Sequence, residues 1–170
     1  GDVPLDDVAQ ALQATITANG RTIEPGALGA AAVATGGYPF MIQLVGYHTW
    51  RKASTNHLTT PAVEAGIQQA RTRLGSLVHA AALRELSDVD RTFLLAMAQD
   101  QGSSRTADIA RRIGKDAQYT NVYRARLIAA GIITPAGYGK VQFAIPYLRE
   151  YLVEHAAHQS MASNDPPRLS

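Results

Sequence analysis

Apolar positions recur at helical spacing through most of this 170-residue chain. Leu5, Val8, Leu12 and Ile16 fall four or so residues apart with polar residues between, which predicts a helix ended by Asn19-Gly20. Glu24-Pro25 opens a second helix, proline being tolerated in a first turn. It runs through Leu28 and Val33 to Thr35, where Gly36-Gly37 stops it. A third, strongly apolar helix covers residues 40–53 and carries Leu44, Val45, Tyr47 and Trp50. Residues 54–58 read as a loop. Thr59-Thr60-Pro61 then caps a long helix through Val63, Ile67, Ala70, Leu74 and Leu77, reaching toward Leu83.

Ser87-Asp88-Val89-Asp90 is a capping signature ahead of Phe93, Leu94 and Met97, and the boundary between two modules is placed just before it, near Leu86. A polar break over residues 99–104 leads to a short helix over residues 106–113, ended by Gly114, and a second over residues 118–130, ended by Gly131. Ile132-Ile133-Thr134 reads as a strand, residues 135–139 as a turn, and Lys140-Val141-Gln142-Phe143-Ala144 as the return strand. Pro146 is expected to start a last helix bearing Tyr147, Leu148, Tyr151 and Leu152. The polar, proline-containing tail over residues 156–170 is expected to be disordered. The expected fold is thus mainly α, with a helical module over residues 1–86 and a second module over 87–155 that contains a small β-hairpin.

Composition narrows the class. The hydrophobic fraction of 46% contains much alanine and aromatics make up only 6%, as suits closely packed helices. The absence of cysteine excludes disulfides and thiolate metal sites, and fits a reducing, cytoplasmic setting. No apolar run approaches the ~20 residues of a membrane span, so no membrane partner is expected. The chain opens without methionine inside what reads as a helix cap, and is expected to be a fragment. Residues 1–86 carry six basic and six acidic side chains; residues 104–140 carry seven basic against two acidic. The net positive charge of the chain therefore lies over the second module, where a nucleic-acid-binding pattern also falls.

The run Ala34-Thr35-Gly36-Gly37-Tyr38-Pro39-Phe40-Met41-Ile42-Gln43-Leu44 carries the most specific chemistry. Two glycines permit a tight turn and a close approach to a flat ligand. A proline behind them is rigid, apolar and lacks an amide hydrogen. The following helix points its positive end back at the turn, which favours a nearby phosphate. Gly-Gly-x-Pro is also simply a good interhelical turn. With its flanks from Ile23 to Trp50, and with Thr59 to Leu74, Leu86-Ser87, Phe93 to Ala98 and Leu127 to Ile133, the run resembles the helical lid and following winged helix of bacterial and archaeal AAA+ or STAND-like P-loop ATPases. The resemblance implies a four-helix AAA+-type lid followed by a winged-helix domain. In it Gly37, Tyr38 and Pro39 would lie next to the adenine of ATP, completing a pocket supplied by an N-terminal P-loop core and passing nucleotide state to the winged helix.

A sensor arginine found near this helix start in initiator-type lids has no counterpart, since Pro39 and Phe40 stand there, which favours the STAND-like form. Neither Gly-x-x-x-x-Gly-Lys-Ser/Thr nor an acidic Mg²⁺-binding strand occurs, so the chain by itself is not expected to be an enzyme. Gly137-Tyr138-Gly139-Lys140 lacks the P-loop spacing and reads as the wing.

Residues 106–113 and 118–130 form a helix-turn-helix with a wing behind it. Val122, Tyr123, Leu127 and Ile128 are expected to face inward, and Gln118, Thr120, Asn121 and Arg124 outward. With Lys140, and with Arg105 and Arg111 flanking, the outward set suits double-stranded DNA: asparagine and arginine read base edges, threonine and lysine reach phosphates. The alternative is a protein-docking or autoinhibitory module, with Arg112 and Arg126 merely paired to surface carboxylates such as Asp108, Asp116 or Glu150. No metal site is expected. The compact Glu154-His155-x-x-His158 lacks enough converging ligands. Phe40, Tyr47 and Trp50 are expected in the core.

Overall fold

Proline and glycine set where the helices begin and end. Pro25, Pro39 and Pro61 each lie in a first helical turn, and Gly36 and Gly114 close helices in the left-handed conformation that a Cβ disfavours. The computed structural model describes the backbone of residues 1–163 and the side chains of residues 1–156. It is mainly helical with two small sheets, and divides into two units, Gly1–Val78 and a second beginning at His79.

The first unit contains α1 (Leu5–Ala18), β1 (Thr22–Ile23), α2 (Pro25–Thr35), α3 (Pro39–Lys52), β2 (His57–Leu58) and α4 (Thr60–Leu74). Its core is assembled from Val8 and Ile16 of α1, Ala27, Ala31 and Ala32 of α2, Met41 and Val45 of α3, and Val63, Ala70 and Leu74 of α4. The alanines of α2 cost little entropy on burial and let neighbouring helices come close. The approach is tightest between α3 and α4. A Cβ added at Gly66 would stand 2.5 Å from the Thr49 backbone, so this glycine is what the crossing requires.

β1 and β2 pair in parallel, Thr22 opposite His57 and Ile23 opposite Leu58, a feature too short to leave a period in the sequence. The Glu24 carboxylate accepts hydrogen bonds from the Thr60 backbone N–H (2.9 Å) and hydroxyl, joining the start of α2 to the start of α4. Those bonds, the side-chain one first, hold Glu24 below its ordinary pKa. Thr59 caps α4 as expected. α4 does not continue evenly to Leu83: a wider π-helical turn, Gly75–His79, follows Leu74, and then the short α5 (Ala80–Arg84).

The second unit continues with α6 (Asp88–Met97), β3 (Ser104–Arg105), α7 (Thr106–Ile113), α8 (Ala117–Ala129), β4 (Ile133–Pro135), β5 (Lys140–Phe143) and α9 (Leu148–Ser163). The three strands form an antiparallel sheet in the order β3-β5-β4. Helix, strand, two helices and a hairpin whose return strand lies in the middle of the sheet make the connectivity expected of a winged helix. Phe93, Leu94, Met97, Ile109, Leu127, Ile133, Val141 and Leu148 are buried. The capping box at Ser87 is present, with the Ser87 hydroxyl accepting from Asp90 N–H and the Asp90 carboxylate accepting from Ser87 N–H, both at 3.1 Å.

Two expectations need correction here. The last helix begins at Leu148, not Pro146, because Tyr147 takes a positive φ of 62° that turns the chain before it. The tail expected from residue 156 lies partly within α9, which extends to Ser163; the rest of it lies outside the described residues.

Asp100 joins four of these elements. Its carboxylate receives both terminal nitrogens of Arg112 (2.6 and 3.0 Å) and the Ser104 hydroxyl (2.7 Å), while its carbonyl accepts from Arg149 Nε (2.9 Å). The Arg112 and Ser104 hydrogen bonds pull the Asp100 pKa down from its ordinary 3.8 to about 2.

Two substitutions test this packing. Gly66→Ala should lower stability by about 1–3 kcal/mol, since the clash is with backbone rather than a yielding side chain; an unchanged denaturation midpoint would refute the close crossing. Asp100→Ala should cost about 2–3 kcal/mol at neutral pH. A carboxylate with a depressed folded-state pKa stabilises fully above its ordinary value and loses that contribution as pH falls through the folded one. The stability gap between wild type and Asp100→Ala should therefore narrow as pH drops from 3.8 toward about 2, read by thermal melts across that window.

Candidate functional site

The corner between α2 and α3 is built by one threonine and two glycines. Thr35 is fully buried; its hydroxyl donates to Ala32 C=O (2.7 Å) and accepts from Gly37 N–H (3.1 Å). Gly36 and Gly37 follow with φ of 58° and 72°, and Tyr38 N–H returns to Thr35 C=O at 3.0 Å. Tyr38 is the N-terminal cap residue of α3 and Pro39 its first helical residue.

The three residues assigned to the adenine differ in what they offer. Gly37 is buried, its carbonyl accepts from Val3 N–H at 2.8 Å, and an added Cβ would stand 2.2 Å from Val3 C=O. The close approach that the sequence reserves for a ligand is thus made by the chain's own backbone. Tyr38 is half-buried, and Pro39 is exposed beside Phe40. A flat ring at this corner would meet Tyr38 and Pro39, with the first turn of α3 behind them. Arg51, at the far end of α3, donates to the Tyr47 hydroxyl (2.9 Å).

The aromatic residues of α3 are not core as expected: Phe40 and Tyr47 are exposed, and Trp50 is half-buried with the Arg21 guanidinium 3.7 Å above its ring. Trp50, Tyr47 and Ile42 instead line an apolar groove of about 560 Å³ with Leu12, Ile16 and Leu28. None of the corner residues lines it. Helical spacing gives no sign of such a groove, because spacing marks the face a helix presents and not the gap that neighbouring helices leave.

In the second unit the helix-turn-helix face is only partly as expected. Gln118 and Asn121 are exposed and Arg124 is half-exposed. Thr120, however, is fully buried, with its hydroxyl donating to Asp116 C=O at 2.8 Å, and Val122 is 56% exposed. The local hydrogen bond satisfies the Thr120 hydroxyl and lets it turn inward, so Thr120 is not a surface contact residue. Asp116 caps α8 through Tyr119 N–H.

The basic residues separate into two groups. Arg111 pairs with Asp108 (3.1 Å), Arg112 with Asp100, and Arg126 with the buried Asp90 (3.1 Å); Lys115 lies 5.0 Å from the Tyr119 ring centroid. Arg105, Arg124 and Lys140 have no carboxylate partner among the described residues. Arg105 and Lys140 stand directly opposite each other across the β3–β5 ladder, both exposed. Asn121 and Arg124 line a groove of about 530 Å³ whose other wall is Gly137-Tyr138-Gly139 at the turn of the hairpin. Helix and wing thus share one concave face. Tyr138, given no role by sequence reasoning beyond its place in the turn, is fully exposed at the rim.

Among the described residues no three His, Asp or Glu side chains converge as a metal site, and no helix is long and apolar enough to cross a membrane. His155 stacks on Tyr151 with ring centroids 3.8 Å apart; the side chain of His158 lies outside the described residues.

A family model described as a domain of unknown function (DUF8462) matches residues 76–152. No curated protein matches the chain significantly. Among solved structures, the chain is similar to the Thermotoga maritima RuvB Holliday junction branch migration motor, at 15% identity over 97% of this chain and 51% of that one, with a TM-score of 0.39. Two point mutants of the same RuvB give 14% and 15% identity over 98% and 96% of this chain, with TM-scores of 0.40 and 0.38. The chain spans about half the length of these structures.

Proposed function

We propose that this chain is the lid and winged-helix portion of an ATP-binding AAA/STAND-like protein. Tyr38 and Pro39 would close over the adenine of a nucleotide whose phosphates are held by a separate P-loop core. The observation that carries this reading is the exposed, backbone-locked corner at the start of a 14-residue helix. Its proline offers a rigid apolar edge, and the unpaired first-turn N–H groups of α3 lie behind it, where negative charge is favoured. Gly37 contributes by fixing the turn on Val3 rather than by touching the ligand. The chain carries no hydrolytic machinery of its own in this reading.

A second reading concerns the second unit, and the joint helix–wing groove favours it. Asn121 and Arg124, with Lys140 and Arg105 nearby in the fold, form a surface where cations lie without acidic partners beside a polar base-reading residue. Such a face suits double-stranded DNA.

Adding the chain to a separately produced P-loop core of the same protein should tighten nucleotide binding about ten-fold, a change of roughly 1.4 kcal/mol. Anisotropy of a labelled ATP analogue reads it, and Pro39→Ala should remove most of the gain. Equal affinity with and without the chain would end the lid reading. For DNA, Arg124→Ala and Lys140→Ala should each weaken duplex binding and reduce the salt slope by about one. A salt-independent association that neither variant alters, or capture of the core with no DNA affinity at all, would favour protein docking instead.

A further inference from the structure

The geometry points to Tyr138 as a base-stacking element at the wing tip, so that the second unit prefers DNA carrying an unpaired base next to a duplex. This rests on the DNA reading of the helix–wing face and names the kind of DNA it takes.

The hairpin between β4 and β5 is short and closed. Ala136 N–H bonds to Lys140 C=O at 2.9 Å and Lys140 N–H to Gly137 C=O at 3.2 Å, while Gly139 C=O accepts from Thr106 N–H at 2.9 Å. The turn is therefore pinned both to itself and to the start of α7. Gly137 and Gly139 take φ of 101° and 68°, conformations that a side chain would strain, and between them they lift Tyr138 clear of the fold. Its relative exposure is 105%, and no ring or cation among the described residues packs against it. A large aromatic on a fixed backbone, with both faces bare, loses little entropy when a flat partner arrives.

Charge says what that partner is. Like charges directly opposite in an antiparallel ladder repel, yet Arg105 and Lys140 face each other here without a carboxylate to separate them. An anion between or beside them relieves that repulsion. Lys140 follows Tyr138 by two residues, so a phosphate held by the cation pair leaves its base within reach of the ring. Asn121 and Arg124 line the groove behind the same tip and would hold the adjoining duplex. Within a continuous duplex every base is already stacked on both sides. An unpaired or displaced base has a face to offer, and stacking on an aromatic side chain is tolerant of sequence.

The test compares two labelled DNAs of equal length at one salt concentration, a blunt duplex and a duplex with a short single-stranded extension, by anisotropy with the full chain. The extended DNA should bind more tightly, by roughly five- to a hundred-fold for one stacked base. Tyr138→Ala should erase that preference, bringing the two affinities together, and Tyr138→Trp should retain it. 2-Aminopurine at the first unpaired position should be quenched by wild type and not by Tyr138→Ala. Because the residue is exposed, the variant's melting curve should match wild type and exclude misfolding. A preference that survives Tyr138→Ala, or equal affinity for both DNAs with Arg124→Ala still weakening the duplex, overturns the stacking role and leaves the DNA reading standing. Failure of both DNAs to bind overturns the stacking role and the DNA reading together.

Discussion

One carboxylate ties together elements of the second unit that its apolar core brings side by side. Asp100 lies between the end of α6 and the start of β3, and through Arg112, Ser104 and Arg149 it reaches α7, β3 and α9 as well. A bidentate guanidinium–carboxylate pair fixes angle as well as distance, because its two bonds form only when both planes align. Arg112 also donates to Ala96 C=O (3.0 Å), so the same guanidinium closes the open end of α6. The pair anchors α7, and the bond from Thr106 N–H to Gly139 C=O ties the hairpin to the start of that helix.

The first unit solves the same problem sterically. Its helices are positioned by small residues that let backbones meet. A methyl group would not fit at Gly66 against Thr49 or at Gly37 against Val3. Contacts of this kind are unforgiving in one direction only, since nothing smaller than glycine exists to replace them. The corner at Tyr38-Pro39 gains from this, because a segment fixed by buried Thr35 on one side and by Val3 on the other has little freedom left to lose when a ligand arrives.

Elements marked by local chemistry were legible in the sequence. The helix ends at Thr35-Gly36 and Ile113-Gly114, the caps at Thr59 and Ser87, and the wing between Thr134 and Lys140 all follow from residues whose preference is set by their own backbone. What escaped has no local signature. β1, β2 and β3 are two residues each and exist only because a partner strand is brought alongside. The faces of α8 were half wrong because polarity was taken as outwardness. Thr120 satisfies its own hydroxyl on Asp116 and can be buried, whereas Val122 is left outside with nothing to cover it. The same error placed Phe40 and Tyr47 inside. At the corner, glycine was rightly read as permitting close approach, but the sequence could not say that Val3 makes it.

The charge count over residues 104–140 illustrates how fold converts a weak compositional signal into a local one. A surplus of five positive charges spread evenly would mean little. Arg111, Arg112 and Arg126 are each given a carboxylate, Arg111 within its own helix and the other two across elements. Pairing removes them from the field that a distant anion feels, because opposite charges a few ångströms apart cancel beyond a Debye length of roughly 8 Å. Four cations are left without a carboxylate among the described residues: Lys115 lies beside the Tyr119 ring, Arg124 lines the groove, and Arg105 and Lys140 directly adjoin its lining residues Thr106 and Gly139. Surface arginines without partners are ordinary; two cations set opposite each other on adjacent strands are not, because the ladder fixes their separation and neither can move away along the backbone. The repulsion lies at an exposed position, so an anion arriving there would meet both cations at once and lower it.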